Sequence, residues 1–221
     1  MTPVGRTPRE PRRVWLVRHG ETEGQSSIRF HGQNDVLLSD LGREQIRALI
    51  PLFAGLRPVA VYHSPLQRAV ESASVLAKAH GWDRTSMRVD DRLREISFGD
   101  CEGLTREEIE AAHPEFWALH QKGEADSFPG GESRHEFAAR VAAFVRELSE
   151  QHDFGDLVIV AHRGTVRHAL RTLLAVPDAA PDPRPELRVR LGSLSVLRAE
   201  ERDALRRSGK HWQVELLDFV P

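Results

Sequence analysis

Three apolar runs without polar alternation punctuate the chain: VWLV at 14–17, VAVY at 59–62 and LVIVA at 157–161. Short and rich in β-branched side chains, they predict strands buried on both faces, as in a parallel sheet. Helical periodicity fills the intervals. A stripe of Ile46, Leu49, Ile50 and Phe53 predicts a helix from about Ser39, which Pro51 shortens or kinks. Ser64 and Pro65 read as the N-cap and first residue of a helix reaching about His80. The capping-box pairs Thr105 with Glu108 and Ser133 with Glu136 start two more helices, the second carrying Phe137, Val141, Phe144, Val145 and Leu148. Another follows His162–Gly164 as far as about Ala175. Two further strands are expected around Ser193–Arg198 and Trp212–Phe219 with a hairpin-like connection, and 177–185 reads as a proline-rich surface loop. Strands alternating with helices define an α/β class: three layers, a mostly parallel sheet flanked by helices. Residues from about 90 to 135 lack a buried strand and read as a small helical and loop insertion, a cap.

Composition narrows the class further. A chain of 221 residues, 40% hydrophobic and 29% charged, has room for a substantial core. Its formal net charge of −2 argues against a general nucleic-acid binder, and no apolar run approaches a membrane span. One cysteine, Cys101, allows neither an internal disulfide nor a cysteine-based zinc site. Residues 1–13 hold Arg6, Arg9, Arg12 and Arg13 with three prolines and no apolar segment. They are expected to be a disordered leader to one domain at 14–221, without a signal or transit peptide, which puts the protein in the cytoplasm.

The charges break local rules in a consistent way. All three core strands run out into ionisable groups: Arg18–His19, His63 with the helix carrying Arg68, and His162–Arg163. The carboxyl ends of parallel strands share one sheet edge, so these groups can converge. Arg68 and Arg163 stand at helix amino ends, where the dipole disfavours a cation. Two such violations on one edge point to a bound anion. Guanidiniums with free helix amides suit a tetrahedral oxyanion, most naturally a phosphoryl group, and two imidazoles beside it offer a nucleophile or proton traffic. No G-x-S-x-G or G-x-x-x-x-G-K-[ST] motif competes. A metal held by His19 and His162 with Glu95 or Asp100 is the weaker reading, because arginines beside the ligands oppose a divalent cation.

These segments carry a resemblance. RHGET at 18–22, SPLQRA at 64–69, LREISFG at 93–99 and AHRG at 161–164 resemble the histidine phosphatase superfamily, with its phosphoglycerate mutase-like fold. GQNDVLLSDLG at 32–42 and FPGGES at 128–133 are similar to two further family segments. The resemblance implies that His19 takes the phosphoryl group as a phosphohistidine, while Arg18, Arg68 and His162 hold its oxygens. It makes Glu95 the acid for the leaving oxygen and then the base for water, a role that calls for partial burial to raise its pKa. Gln25 stands where many members place a phosphate-contacting asparagine. Leu37 replaces a common proline. Thr22, His31 and Arg163 are expected to touch the substrate. Arg163, in place of the first glycine of a frequent HGG, either meets a second anionic group or swings into solvent.

No metal or cofactor is implied. REISFGDCEG at 94–103 resembles the phosphatase branch more than the longer basic segment of the mutases. The implied activity is a phosphomonoester phosphatase acting on a small phosphorylated metabolite, with a cofactor-primed mutase or a non-catalytic phospholigand-binding protein as the alternatives. Loops 23–36 and 104–132 are expected to choose the substrate. Their Phe30, His31, Phe116, Trp117 and Phe128 either line a pocket or pack the cap. A homodimer, for example through the carboxyl-terminal strands, stays open.

Overall fold

The computed structural model describes residues 12–24, 28–151, 155–176, 187–200 and 211–221. Six strands form one sheet in the order β3-β2-β4-β1-β5-β6. The strands are β1 (Arg13–Arg18), β2 (Ala60–His63), β3 (Met87–Val89), β4 (Leu157–Ala161), β5 (Leu194–Glu200) and β6 (His211–Phe219). β1, β4, β2 and β3 are mutually parallel, whereas β5 and β6 add antiparallel neighbours. The α/β class read from the sequence is therefore the observed one. Helices α1 (Asp40–Leu49) and α2 (Gln67–His80) cover one face, and α5 (Arg134–Gln151) and α6 (Arg163–Leu173) cover the other. Leu157, Ile159 and Ala161 point into the second layer while Val158 and Val160 point into the first. This double burial is why LVIVA lacks polar alternation.

Several boundaries differ from expectation. β1 begins at Arg13, and Arg12 is buried with its guanidinium donating to the Leu148 carbonyl at 2.6 Å. The remainder of the expected leader, residues 1–11, lies outside the described residues, as do 177–186 and the 201–210 connection. α2 starts at Gln67 rather than Pro65 because its cap comes from a distant loop: the Asp35 carboxylate accepts from the Gln67 N–H at 2.6 Å. Pro51 shortens α1, whose path continues as a 3-10 turn at Ile50–Phe53. α6 ends at Leu173 rather than near Ala175. β3 was not anticipated. It is a three-residue edge strand with Arg88 and Val89 exposed, so no apolar run marks it.

Between β3 and α5 the chain adds no strand to the sheet. It carries α3 (Arg106–Ala112), started by the expected Thr105–Glu108 capping box, and α4 (Pro114–Lys122), which starts on a proline. Cys101, Ile109, Trp117 and Phe128 bury one another here, with Phe30, Phe98 and Phe116 packed against them. The Ser133–Glu136 box also forms, at 3.1 Å in both directions.

Candidate active site

Because β4 lies between β1 and β2, one sheet edge receives Arg18–His19, His162 and Ser64, with Arg68 in the first turn of α2. His19, His162 and Arg68 are buried, and the two imidazoles stand edge to face with centroids 5.1 Å apart. The close packing needs Gly20. A Cβ there would come within 2.7 Å of the Gly42 Cα, so two glycines let α1 lie against the turn that follows His19.

Hydrogen bonds fix both imidazoles. His19 Nδ1 is 2.6 Å from the Gly20 carbonyl. A carbonyl only accepts, so Nδ1 holds the proton and Nε2 keeps its lone pair. Burial, reinforced by Arg68 and Arg18, pushes the His19 pKa well below its ordinary 6.5. Arg68 Nε donates to His162 Nδ1 at 3.2 Å, which leaves a proton on Nε2 for donation to Ser64 Oγ at 2.8 Å. His162 is likewise held neutral by burial and Arg68. Nε2 of His19 is thus the base-form nitrogen beside two guanidiniums, an arrangement suited to attack on a phosphoryl group.

The guanidiniums are held by neutral acceptors. Arg68 also donates to the carbonyls of Asn34 (2.7 Å) and Gly32 (2.5 Å). Arg18 donates to the Val189 carbonyl at 2.7 Å, and its Nε has no partner among the described residues. Burial lowers both pKa values to about 10, leaving both groups charged at neutral pH. Two charged donors bonded only to neutral groups are ready to receive an oxyanion.

Glu95 reaches the same place from the loop after β3. It is buried, with Oε2 accepting from the Gly164 N–H (2.9 Å) and Oε1 from the Ile96 N–H (3.1 Å). Behind it, Arg140 of α5 donates to the carbonyls of Arg92 (2.8 Å), Arg94 (2.9 Å) and Glu95 (3.0 Å) and pairs with Glu132 at 2.6 Å. One guanidinium thereby ties down the loop that carries the carboxyl group.

Gly164 has no room for a side chain: a Cβ would strike the Glu95 carboxylate and lie 3.0 Å from the Phe137 ring. Gly164→Ala is expected to cut kcat by about 10- to 100-fold by displacing that carboxylate, since misplacement by an ångström costs on this order. Urea unfolding measured alongside should show a much smaller change than kcat does.

Arg18, His19, Arg68 and Glu95 line a cleft of about 280 Å³, whereas His162 is buried behind it and reaches it through Arg68. Its charged lining is Arg18, Arg29, Arg68, Arg163 and Glu95, its imidazoles are His19 and His31, and Ile28, Phe30 and Phe98 supply apolar walls. The structure thus brings together all five residues expected at the centre, with His31 and Arg163 at the same cleft. Thr22 is buried in a bridge with Leu38 and does not line the cleft, and Gln25 lies outside the described residues. Phe30 faces the cleft, whereas Phe116, Trp117 and Phe128 pack the insertion. Among the described residues, no group of three or more His, Cys, Asp or Glu side chains is disposed to hold a metal ion.

Sequence reasoning missed Ser64 as the partner of His162, having taken it for a helix cap. It also missed Arg140, whose only signal is a cation beside Phe137 and Val141 on an otherwise apolar stripe.

The sequence model of the histidine phosphatase superfamily (branch 1) matches residues 14–208. The chain belongs to this superfamily. Within it, the chain is 38% identical over 174 residues to the glucosyl-3-phosphoglycerate phosphatase of Mycolicibacterium vanbaalenii, covering 75% of this chain and 76% of that protein. The protein of the same name from Mycobacterium tuberculosis is 35% identical over 176 residues, 76% of this chain and 78% of the relative. Among solved structures, the mycobacterial glucosyl-3-phosphoglycerate phosphatase in complex with VO3 superposes with a TM-score of 0.75 at 31% identity, covering 94% of this chain and 98% of that one. An Escherichia coli α-ribazole-5'-phosphate phosphatase structure shares the fold, with a TM-score of 0.81 at 24% identity over 95% of this chain and 97% of that one.

Proposed function

We propose that the protein is a phosphomonoester phosphatase that acts on a small phosphorylated metabolite through a phosphohistidine at His19. The observation that carries this reading is the state of His19: a neutral imidazole, its tautomer set by Gly20, beside Arg18 and Arg68 and in one cleft with Glu95. The phosphatase names of the relatives support it. In the first step the His19 Nε2 lone pair attacks phosphorus, the phosphorus–ester oxygen bond breaks, and Glu95 gives its proton to the departing oxygen. Arg18 and Arg68 balance the charge of the transferring group. His162 stays neutral and holds Arg68 in place, its Nδ1 accepting from the Arg68 Nε–H while its Nε2 donates to Ser64. In the second step Glu95 removes a proton from water, the oxygen bonds to phosphorus, the nitrogen–phosphorus bond breaks and phosphate leaves.

The test is to follow p-nitrophenyl phosphate and 3-phosphoglycerate in the presence of EDTA, with and without a bisphosphate primer. Release of free phosphate without isomer is expected. Primer-dependent isomerisation would establish the mutase instead, and phosphate binding without hydrolysis of any phosphomonoester would establish a binding protein.

A further inference from the structure

The cleft has more positive charge than one phosphoryl group uses. Arg18, Arg68 and Arg163 all line it, and none of the three has a carboxylate within ion-pair distance among the described residues. Arg29, the fourth cation, is already engaged by Glu108 at 2.9 Å and by the Gly103 carbonyl at 2.7 Å. The one acidic side chain of the lining, Glu95, carries in the proposed first step the proton it gives to the leaving oxygen, and so offsets none of this charge. Arg18 and Arg68 flank His19 and balance a phosphomonoester dianion between them.

Arg163 is then surplus. It is exposed, it is the first residue of α6, and a cation there works against the helix dipole. Its charge nonetheless reaches the phosphoryl site, where it contributes to lowering the Arg18 pKa. An unpaired guanidinium in an unfavourable position on the cleft is accounted for by a ligand that supplies the missing negative charge.

We propose that Arg163 binds a second anionic group of the substrate, a carboxylate or a further phosphoryl group. Resting on the phosphatase reading, this narrows the substrate to phosphomonoesters that carry another negative charge.

The test compares compounds that differ in that charge alone. Inhibition constants against p-nitrophenyl phosphate hydrolysis are measured for 3-phosphoglycerate and glycerol 3-phosphate, and for fructose 1,6-bisphosphate and fructose 6-phosphate. The protein with Arg163 is expected to favour the more anionic member of at least one pair by about two- to fivefold, the range for an exposed ion pair. Arg163→Gln should erase that preference and Arg163→Lys should keep most of it. Discrimination in the first pair alone identifies a carboxylate, and in the second alone a phosphoryl group. No preference in either pair, or an undiminished preference in Arg163→Gln, overturns the proposal. Absence of p-nitrophenyl phosphate hydrolysis counts against the phosphatase reading only. Calorimetric dissociation constants for the same four compounds then decide the role of Arg163 by the same comparison.

Discussion

The His19→Ala variant is expected to lose phosphomonoesterase activity by about 10⁴-fold or more, the scale on which removal of a covalent nucleophile acts. The fold should survive. The alanine loses the hydrogen bond to Gly20, but β1 keeps its ladder on both sides, and the backbone N–H of residue 19 keeps the Ala161 carbonyl. Phosphate affinity should fall far less than kcat, because Arg18 and Arg68 remain. Steady-state kinetics beside phosphate-binding calorimetry separates the two effects; equal losses in both would make His19 a phosphate ligand rather than the attacking group.

The pH dependence follows from the same environment. The His19 pKa lies well below 6.5 because burial and two arginines disfavour the imidazolium. As pH falls through 6.5 an ordinary histidine would protonate and stop attacking, whereas this one keeps its lone pair. The value of kcat/KM should therefore show no loss attributable to nucleophile protonation between about pH 7.5 and about pH 6.

Glu95→Gln is expected to have the second-largest effect, and one that depends on the leaving group. An alkyl phosphate needs a proton on its departing oxygen, so hydrolysis should slow by about 10²- to 10⁴-fold. An aryl phosphate leaves as a stabilised phenolate, so its first step should slow much less. The second step still needs a base for water. With p-nitrophenyl phosphate, the variant should release a burst of nitrophenolate close to one per active site and then turn over slowly as phosphoenzyme accumulates. Glutamine also keeps one oxygen to accept from Gly164 or Ile96, which limits disturbance of the loop. Equal losses on both classes of ester, without a burst, would deny Glu95 the proton-transfer role.

How far the sequence discloses this site depends on the range of the interactions that build it. Strands buried on both faces leave continuous apolar runs, so β1, β2 and β4 and the ionisable residues at their ends were legible, and with them Arg18, His19, Arg68 and His162. Capping boxes are written within four residues, and those at Thr105 and Ser133 formed as read. Long-range contacts were not legible. The cap of α2 comes from Asp35 and the partner of His162 is Ser64, so local rules disclosed only the bond that Ser64 accepts from the Leu66 N–H at 3.3 Å. Glu95 entered by resemblance, since its contacts with Gly164 and, through the loop, Arg140 arise only when α5 and α6 pack beside it. β3, with two of three residues exposed, has no pattern to read.

The most direct measurement is a rapid quench of the enzyme with 32P-labelled p-nitrophenyl phosphate, followed by peptide mapping under alkaline conditions. The predicted result is one acid-labile, base-stable label on the peptide containing His19, accumulating in Glu95→Gln and absent from His19→Ala. A label on another residue, or turnover of the ester with no labelled protein on the timescale of a single cycle, would contradict the account.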